Sequence, residues 1–248
     1  MNLVISAMQA ELSATIVALQ PTEIIKYDDI KLYQKGTWLF AISKIGLVNA
    51  AMSLTTLIND YAIKTIYNIG TVVSLKKRLP PLTILLISEA YYTFADAQAF
   101  GYAIGQIPGE VSSYHSNETM LTLAETKILD SQQAVLGSSD IFIDKAEYFN
   151  HIKTKFKDKI DVVDMEGTAF FQVAAKHHLT MISIKIVGDY LEPPATSALI
   201  LVLIGFSCNL TVNSNLLTLL FFVFHLLVVA VVLDKLLFVS VIIYHFLF

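Results

Sequence analysis

The sequence predicts an α/β domain of three layers, with helices on both faces of a central mixed, largely parallel sheet. Short β-branched runs alternate with segments of helical period as far as Asp189, the pattern of strands joined by helical crossovers. The strand runs are mostly apolar, as strands covered on both faces are. The 248 residues suffice for one large α/β domain and fall short of two generous ones.

The elements follow in order. Residues 3–7 are an apolar first strand, and 9–19 continue it as a helix. Two more strands occupy 30–34 and 39–43. The helix at 48–61 places Val48, Ala51, Leu54 and Ile58 on one face. Strands at 65–69, 83–87 and 134–138 come next, then a helix at 144–156. A strand at 160–163, a helix at 165–177 and a strand at 181–187 complete the series. In sheets of this kind the chemistry collects where strands end and helices begin.

Charge and cysteine usage narrow the partners. Lys plus Arg is 17 against Asp plus Glu at 21, a net charge of −4. Nucleic acid is not an expected partner, because phosphate contacts need clustered cations. The nearest cluster, Lys76-Lys77-Arg78, runs into two prolines and reads as a solvated turn. The single cysteine, Cys208, can form neither an internal disulfide nor a metal-binding pair. His177 and His178 end a predicted helix, where positive charge is favourable, and no metal is assigned. The N-terminus lacks a basic leader and reads as a strand, so a cytoplasmic location is expected.

Beyond residue 190 the physics changes. Two regions are expected: a domain over 1–190 and a hydrophobic tail over 191–248. After Glu192-Pro193-Pro194 the charged residues are Asp234 and Lys235 alone. Residues 216–233 carry no charge apart from a protonatable His225, and their length is about that of a membrane span. The apolar run at 199–206 is too short to cross a bilayer as a helix. Three readings stand: a membrane anchor, a buried core helix, or an out-of-frame translation of a disrupted gene. Association with a membrane would come through 216–233 only.

Three carboxylates sit at predicted strand ends: Glu11, Glu166 and Asp189. Each alone has an ordinary explanation. Glu11 and Glu166 complement a helix dipole, Asp164 can cap a helix, and Asp189 suits a turn. Together, at one edge of one sheet, they match the needs of N-glycosidic bond hydrolysis. That bond breaks towards an oxocarbenium-like sugar, which nearby negative charge stabilises. One acid must protonate the leaving base, one carboxylate must activate water, and a third can hold the ribose hydroxyls.

At this point the sequence resembles a family. AMQAEL at 7–12, FGYAIGQIPGE at 100–110, SSDIFI at 138–143, VVDMEGTA at 162–169 and KIVGD at 185–189 are similar, in order and spacing, to bacterial 5'-methylthioadenosine/S-adenosylhomocysteine nucleosidases. These belong to the nucleoside phosphorylase superfamily. The resemblance runs from Met1 to about Asp189, and it implies the nucleoside phosphorylase-like fold. The implied reaction is hydrolysis of the N-glycosidic bond of methylthioadenosine or S-adenosylhomocysteine. It releases adenine and a thioribose product, as in methionine salvage, and requires no cofactor. The alternatives are a catalytically impaired nucleoside-binding relic and a phosphate-dependent purine nucleoside phosphorylase.

The resemblance also implies roles. Glu11 activates the attacking water and Asp189 protonates the purine. Glu166 binds the ribose hydroxyls, with Met165 against the sugar. Phe142 stacks on the purine and the Ile143 backbone pairs with its edge. Ile45 lines the alkylthio pocket, while Thr71 and Lys185 belong to the set that holds water and substrate. Phe100 and Tyr102 reach a neighbouring subunit's pocket, so a homodimer is implied.

The chain also departs from the family pattern. Gly70-Thr71-Val72-Val73-Ser74 replaces a loop of small residues, and Val73 disfavours the positive φ that glycine permits there. A shifted loop or weakened catalysis is expected. Lys185 stands in place of an arginine and loses its planar fork. Gly188 replaces a serine that supports the acid, which should leave Asp189 less well oriented. The tail does not resemble the family's C-terminal segment.

Overall fold

The computed structural model describes residues 1–190. The readings made for Cys208, for 199–206 and 216–233, and for the tail from 191 onward lie outside these residues. Among the described residues no helix is long and apolar enough to cross a membrane.

The chain runs β1 (Asn2–Ser6), α1 (Gln9–Leu19), β2 (Thr22–Ile24), β3 (Lys31–Lys35), β4 (Trp38–Ile42), α2 (Leu47–Asp60) and β5 (Thr65–Ser74). It continues with β6 (Ile84–Tyr92), β7 (Tyr114–His115), α3 (Glu118–Lys127), β8 (Gln132–Ser138) and α4 (Ala146–Lys155). It closes with β9 (Val162–Asp164), α5 (Gly167–Lys176) and β10 (Thr180–Tyr190). The sheet order is β10-β6-β8-β9-β5-β1-β4-β3-β2, with β7 on the side of β6. Because β10 also pairs with β5, the strands β5, β10, β6, β8 and β9 form a closed circuit.

Parallel ladders join β1 to β4 and β5, β5 to β10, and β8 to β6 and β9. Antiparallel ladders join β2–β3–β4, β6 to β7 and β10, and β5 to β9. The antiparallel share is larger than strand–helix alternation predicts, because β3 and β4 meet through a tight turn and β9 runs against the end of β5.

Alternation within β1 sets the layers. Leu3 and Ile5 enter one apolar cluster with Leu54 of α2 and Phe170 of α5. Val4 enters another with Leu12 of α1 and Leu121 of α3. Successive strand residues point to opposite faces, so one strand serves two cores. A third cluster gathers Ile152 and Phe156 against Tyr91 and Val163. The three-layer expectation therefore holds.

The strand expected at 65–69 extends through Ser74, which corrects the loop expected at 70–74. Val72 and Val73 pair with Val187 and Asp189 of β10, and Val73 also pairs with Val163 of β9. Two flanking strands hold this segment extended, the conformation β-branched residues favour. The positive φ that Val73 would resist is therefore not required. Three further elements lacked an apolar pattern that announces them: β2, which is largely exposed, the two-residue β7, and α3. The last starts at Asn117, whose Oδ1 accepts the Met120 N–H at 3.1 Å, an N-cap. The Lys76-Lys77-Arg78 run does form a turn, in which Lys76 pairs with Asp158 at 2.8 Å and Arg78 with Asp161 at 2.7 Å.

Candidate active site

The C-terminal ends of β1 and β5 open beside the N-terminus of α1, and Glu11 occupies that junction. It lies one turn into α1, and its Oε2 accepts the N–H groups of Ala7 and Met8 at 3.2 and 3.1 Å. This is the ordinary service of a first-turn glutamate to orphan helix donors. The other oxygen does something else: Oε1 accepts the Thr71 N–H at 2.8 Å and its hydroxyl at 3.0 Å. Burial pushes the Glu11 carboxyl up, while the charge of Lys185 and these hydrogen bonds pull it back.

Gly70 makes this approach possible. A Cβ there would lie 3.0 Å from Glu11 Oε1 and 3.2 Å from Lys185 Nζ. A side chain there would press on both groups, and each would have to give by a few tenths of an ångström.

Glu166 caps α5 and is 7% exposed. Its Oε1 accepts the N–H of Gly46 at 2.9 Å, across from the start of α2. Gly46 has φ 107, a conformation glycine adopts without strain. Next to it, Leu47 donates its N–H to Asp140 Oδ1 at 2.7 Å. The first amides of α2 thus hold two carboxylates from other parts of the chain, in keeping with the helix dipole. Burial, and then the charge of Asp164, push the Glu166 carboxyl up to about 8, with Lys185 acting in the opposite sense.

Glu11 and Glu166 line one cavity of about 110 Å³. Of the other residues expected at the site, Ile45 and Thr71 line it as well, and so do Phe142, Ile143 and Met165. Val72, Val73 and Gly188 complete the β5 and β10 side. Lys185 is buried and pairs with Asp164 at 3.0 Å, outside the lining. Asp189 is also outside it. It is half-buried and follows the lining residue Gly188, where a bulge resets the register so that Asp189 stands opposite Val73. Phe100 and Tyr102 lie away from the cavity, in and just after a single 3-10 turn at 98–100, and Phe100 is 82% exposed.

Sequence reasoning missed the parts played by Asp164 and Asp140. Asp164 lies in the lining and pairs with Lys185. Its place two residues before Glu166, as in VVDMEG, was a visible signal that the simpler cap reading absorbed. Among the described residues no cluster of His, Cys, Asp and Glu has the arrangement to hold a metal ion.

Comparison with known proteins gives a consistent result. The sequence profile of the phosphorylase superfamily matches residues 4–203. A 5'-methylthioadenosine/S-adenosylhomocysteine nucleosidase of Staphylococcus carnosus is 32% identical, over 75% of this chain and 85% of the relative. The enzyme of the same name from Buchnera aphidicola is 31% identical, over 75% and 77%. Among solved structures, a Borrelia burgdorferi protein bound to adenine is 30% identical with a TM-score of 0.71, covering 79% of this chain and 89% of that one. The Neisseria meningitidis nucleosidase in complex with methylthio-immucillin-A has the same TM-score at 24% identity, covering 76% and 85%.

Proposed function

We infer that this chain, which belongs to the phosphorylase superfamily and within it to the 5'-methylthioadenosine/S-adenosylhomocysteine nucleosidases, hydrolyses the N-glycosidic bond of those two nucleosides. Adenine and a thioribose product are released, and no cofactor takes part. The observation that carries this reading is the pair of buried carboxylates, Glu11 and Glu166, opening into one cavity.

In this reading Glu11 is the general base. Hydrogen bonds on both oxygens fix its orientation, and the balance of burial against Lys185 leaves it able to take a proton from water. Glu166 receives the ribose hydroxyls, with Met165 beside the sugar. Phe142, Ile143 and Ile45 supply the apolar wall for purine and thioether, and Thr71 orients Glu11. Asp189, the residue after the lining residue Gly188, protonates the leaving purine. Negative charge near the sugar favours the oxocarbenium-like transition state.

The exposed Phe100 and the nearby Tyr102 suit a contact with the pocket of a second copy, in a homodimer. Residues 1–190 act as the nucleosidase domain, in the cytoplasm. Hydrolysis is favoured over phosphorolysis by Glu11, since a phosphorylase needs a cationic phosphate pocket and no water-activating base. Adenine release from methylthioadenosine, followed with and without phosphate, tests the reading. Equal rates are expected, and strict dependence on phosphate would overturn it.

A further inference from the structure

The hydrolytic reading uses Glu11, Glu166 and Asp189 and leaves Asp164 without a task. Yet Asp164 is the most densely bonded carboxylate of the site. Its Oδ2 holds Lys185 Nζ at 3.0 Å, with both side chains 3% exposed. Its Oδ1 accepts the Ser138 hydroxyl at 2.6 Å, the Gly167 N–H at 3.0 Å and the Glu166 N–H at 3.3 Å. One carboxylate therefore joins the end of β8 and the middle of β10 to the start of α5.

Lys185 matters to both acids that line the cavity. Its ammonium and Glu11 Oε1 both lie within 3.2 Å of the point where a Gly70 side chain would begin. Its charge also favours ionisation of Glu11 and of Glu166. An ammonium on a flexible stem goes where the strongest anion holds it. Here the carboxylate within ion-pair distance of Lys185 is Asp164.

We propose that Asp164 is a positioning residue of the hydrolytic site, whose carboxylate fixes Lys185 and so apportions one cation among three buried acids. Resting on the hydrolytic reading, this inference adds how its base and its ribose-binding acid obtain their charge states. Held by Asp164, Lys185 stabilises Glu11 as a base without clamping it in an ion pair. The Asp164 charge meanwhile disfavours ionisation of Glu166. The charged groups that bear on the pair are Glu11 from α1, Glu166 at the head of α5 and Lys185 from β10. Asp140 lies beyond, after β8, and Asp189 ends β10.

The test is a ¹³C NMR titration of glutamate carboxyls in the full chain, beside the pH profile of kcat/KM. Asp164→Asn removes a negative charge and frees Lys185. The midpoints of Glu166 and Glu11 and the acid limb of the profile should all move down, by about one pH unit. Lys185→Gln removes the cation and should move them up. Each variant should lose about tenfold in kcat/KM at pH 7, the scale on which lost orienting groups act. A merely structural role would lower the melting temperature without producing opposed shifts.

Unchanged midpoints in both variants overturn the proposal. If Asp164→Asn does not fold, Asp164→Ser takes its place: downward shifts of both glutamates support the proposal and unchanged midpoints overturn it. Wild-type protein that releases no adenine would instead remove the hydrolytic reading, while the carboxyl titrations still decide the charge relay.

Discussion

Glu166 carries the clearest linkage between charge and stability. Its carboxyl ionises near 4.5 when unperturbed and near 8 in the folded chain, because burial and Asp164 oppose the anion. Between these values the folded state binds a proton that the unfolded state has released. The associated stability is complete below about 4.5 and is lost as pH rises through about 8. The wild-type melting temperature should therefore decline across this window relative to that of Glu166→Gln, which has no proton to lose. Calorimetry at a series of pH values measures the difference, and parallel curves for the two chains would contradict it. Gly188 makes a second test at this scale. A Cβ there would stand 3.7 Å from Thr71 Cβ, ordinary contact distance, so Gly188→Ser fits without displacement. The serine should support Asp189 and raise kcat/KM several-fold, roughly the effect of one added orienting hydrogen bond. No gain would show that Asp189 is already oriented without it.

At the scale of elements, β5 governs the site. Its final residues are held between β10 and β9, and its backbone passes within reach of Glu11 at Gly70 and Thr71. A methyl group at Gly70 would push against Glu11 and Lys185 together. Gly70→Ala displaces these side-chain ends by a few tenths of an ångström and should lower kcat several-fold, short of the roughly hundredfold that a full ångström of misplacement costs. Steady-state kinetics would show it as a loss in kcat with KM little changed. A variant with wild-type kcat would mean that the contact yields harmlessly. The second half of this element was not legible in sequence. Glycine followed by threonine suggests a loop, and local residues do not disclose that β9 and β10 both pair with that stretch. Helix α1, in contrast, matched its expected limits, because its ends are marked locally: Glu11 serves the first amides, and Gln20, left-handed at φ 48, stands before Pro21.

For the whole molecule, the residues of the site come from distant parts of the chain, and topology brings them together. Glu11 follows β1, Thr71 belongs to β5, Glu166 follows β9, and Lys185 lies in β10. In sequence, strand–helix alternation was enough to place each acid at a strand end. It could not show the closure of β10 onto β5, which sets Lys185 opposite Gly70. Nor could it show that the amides opening α2 receive Glu166 and Asp140 from the far side of the site. Such pairings depend on long-range register, and no short motif encodes it. The central claim is that Glu11 is the base of a hydrolytic site that Glu166 completes. Its most direct test is single-turnover adenine release from methylthioadenosine by wild type and Glu11→Gln, with nucleoside binding measured in parallel. The account predicts retained binding and a rate lower by about 10²–10⁴-fold, the usual worth of a positioned general base. Glu11→Gln turning over at the wild-type rate would contradict it.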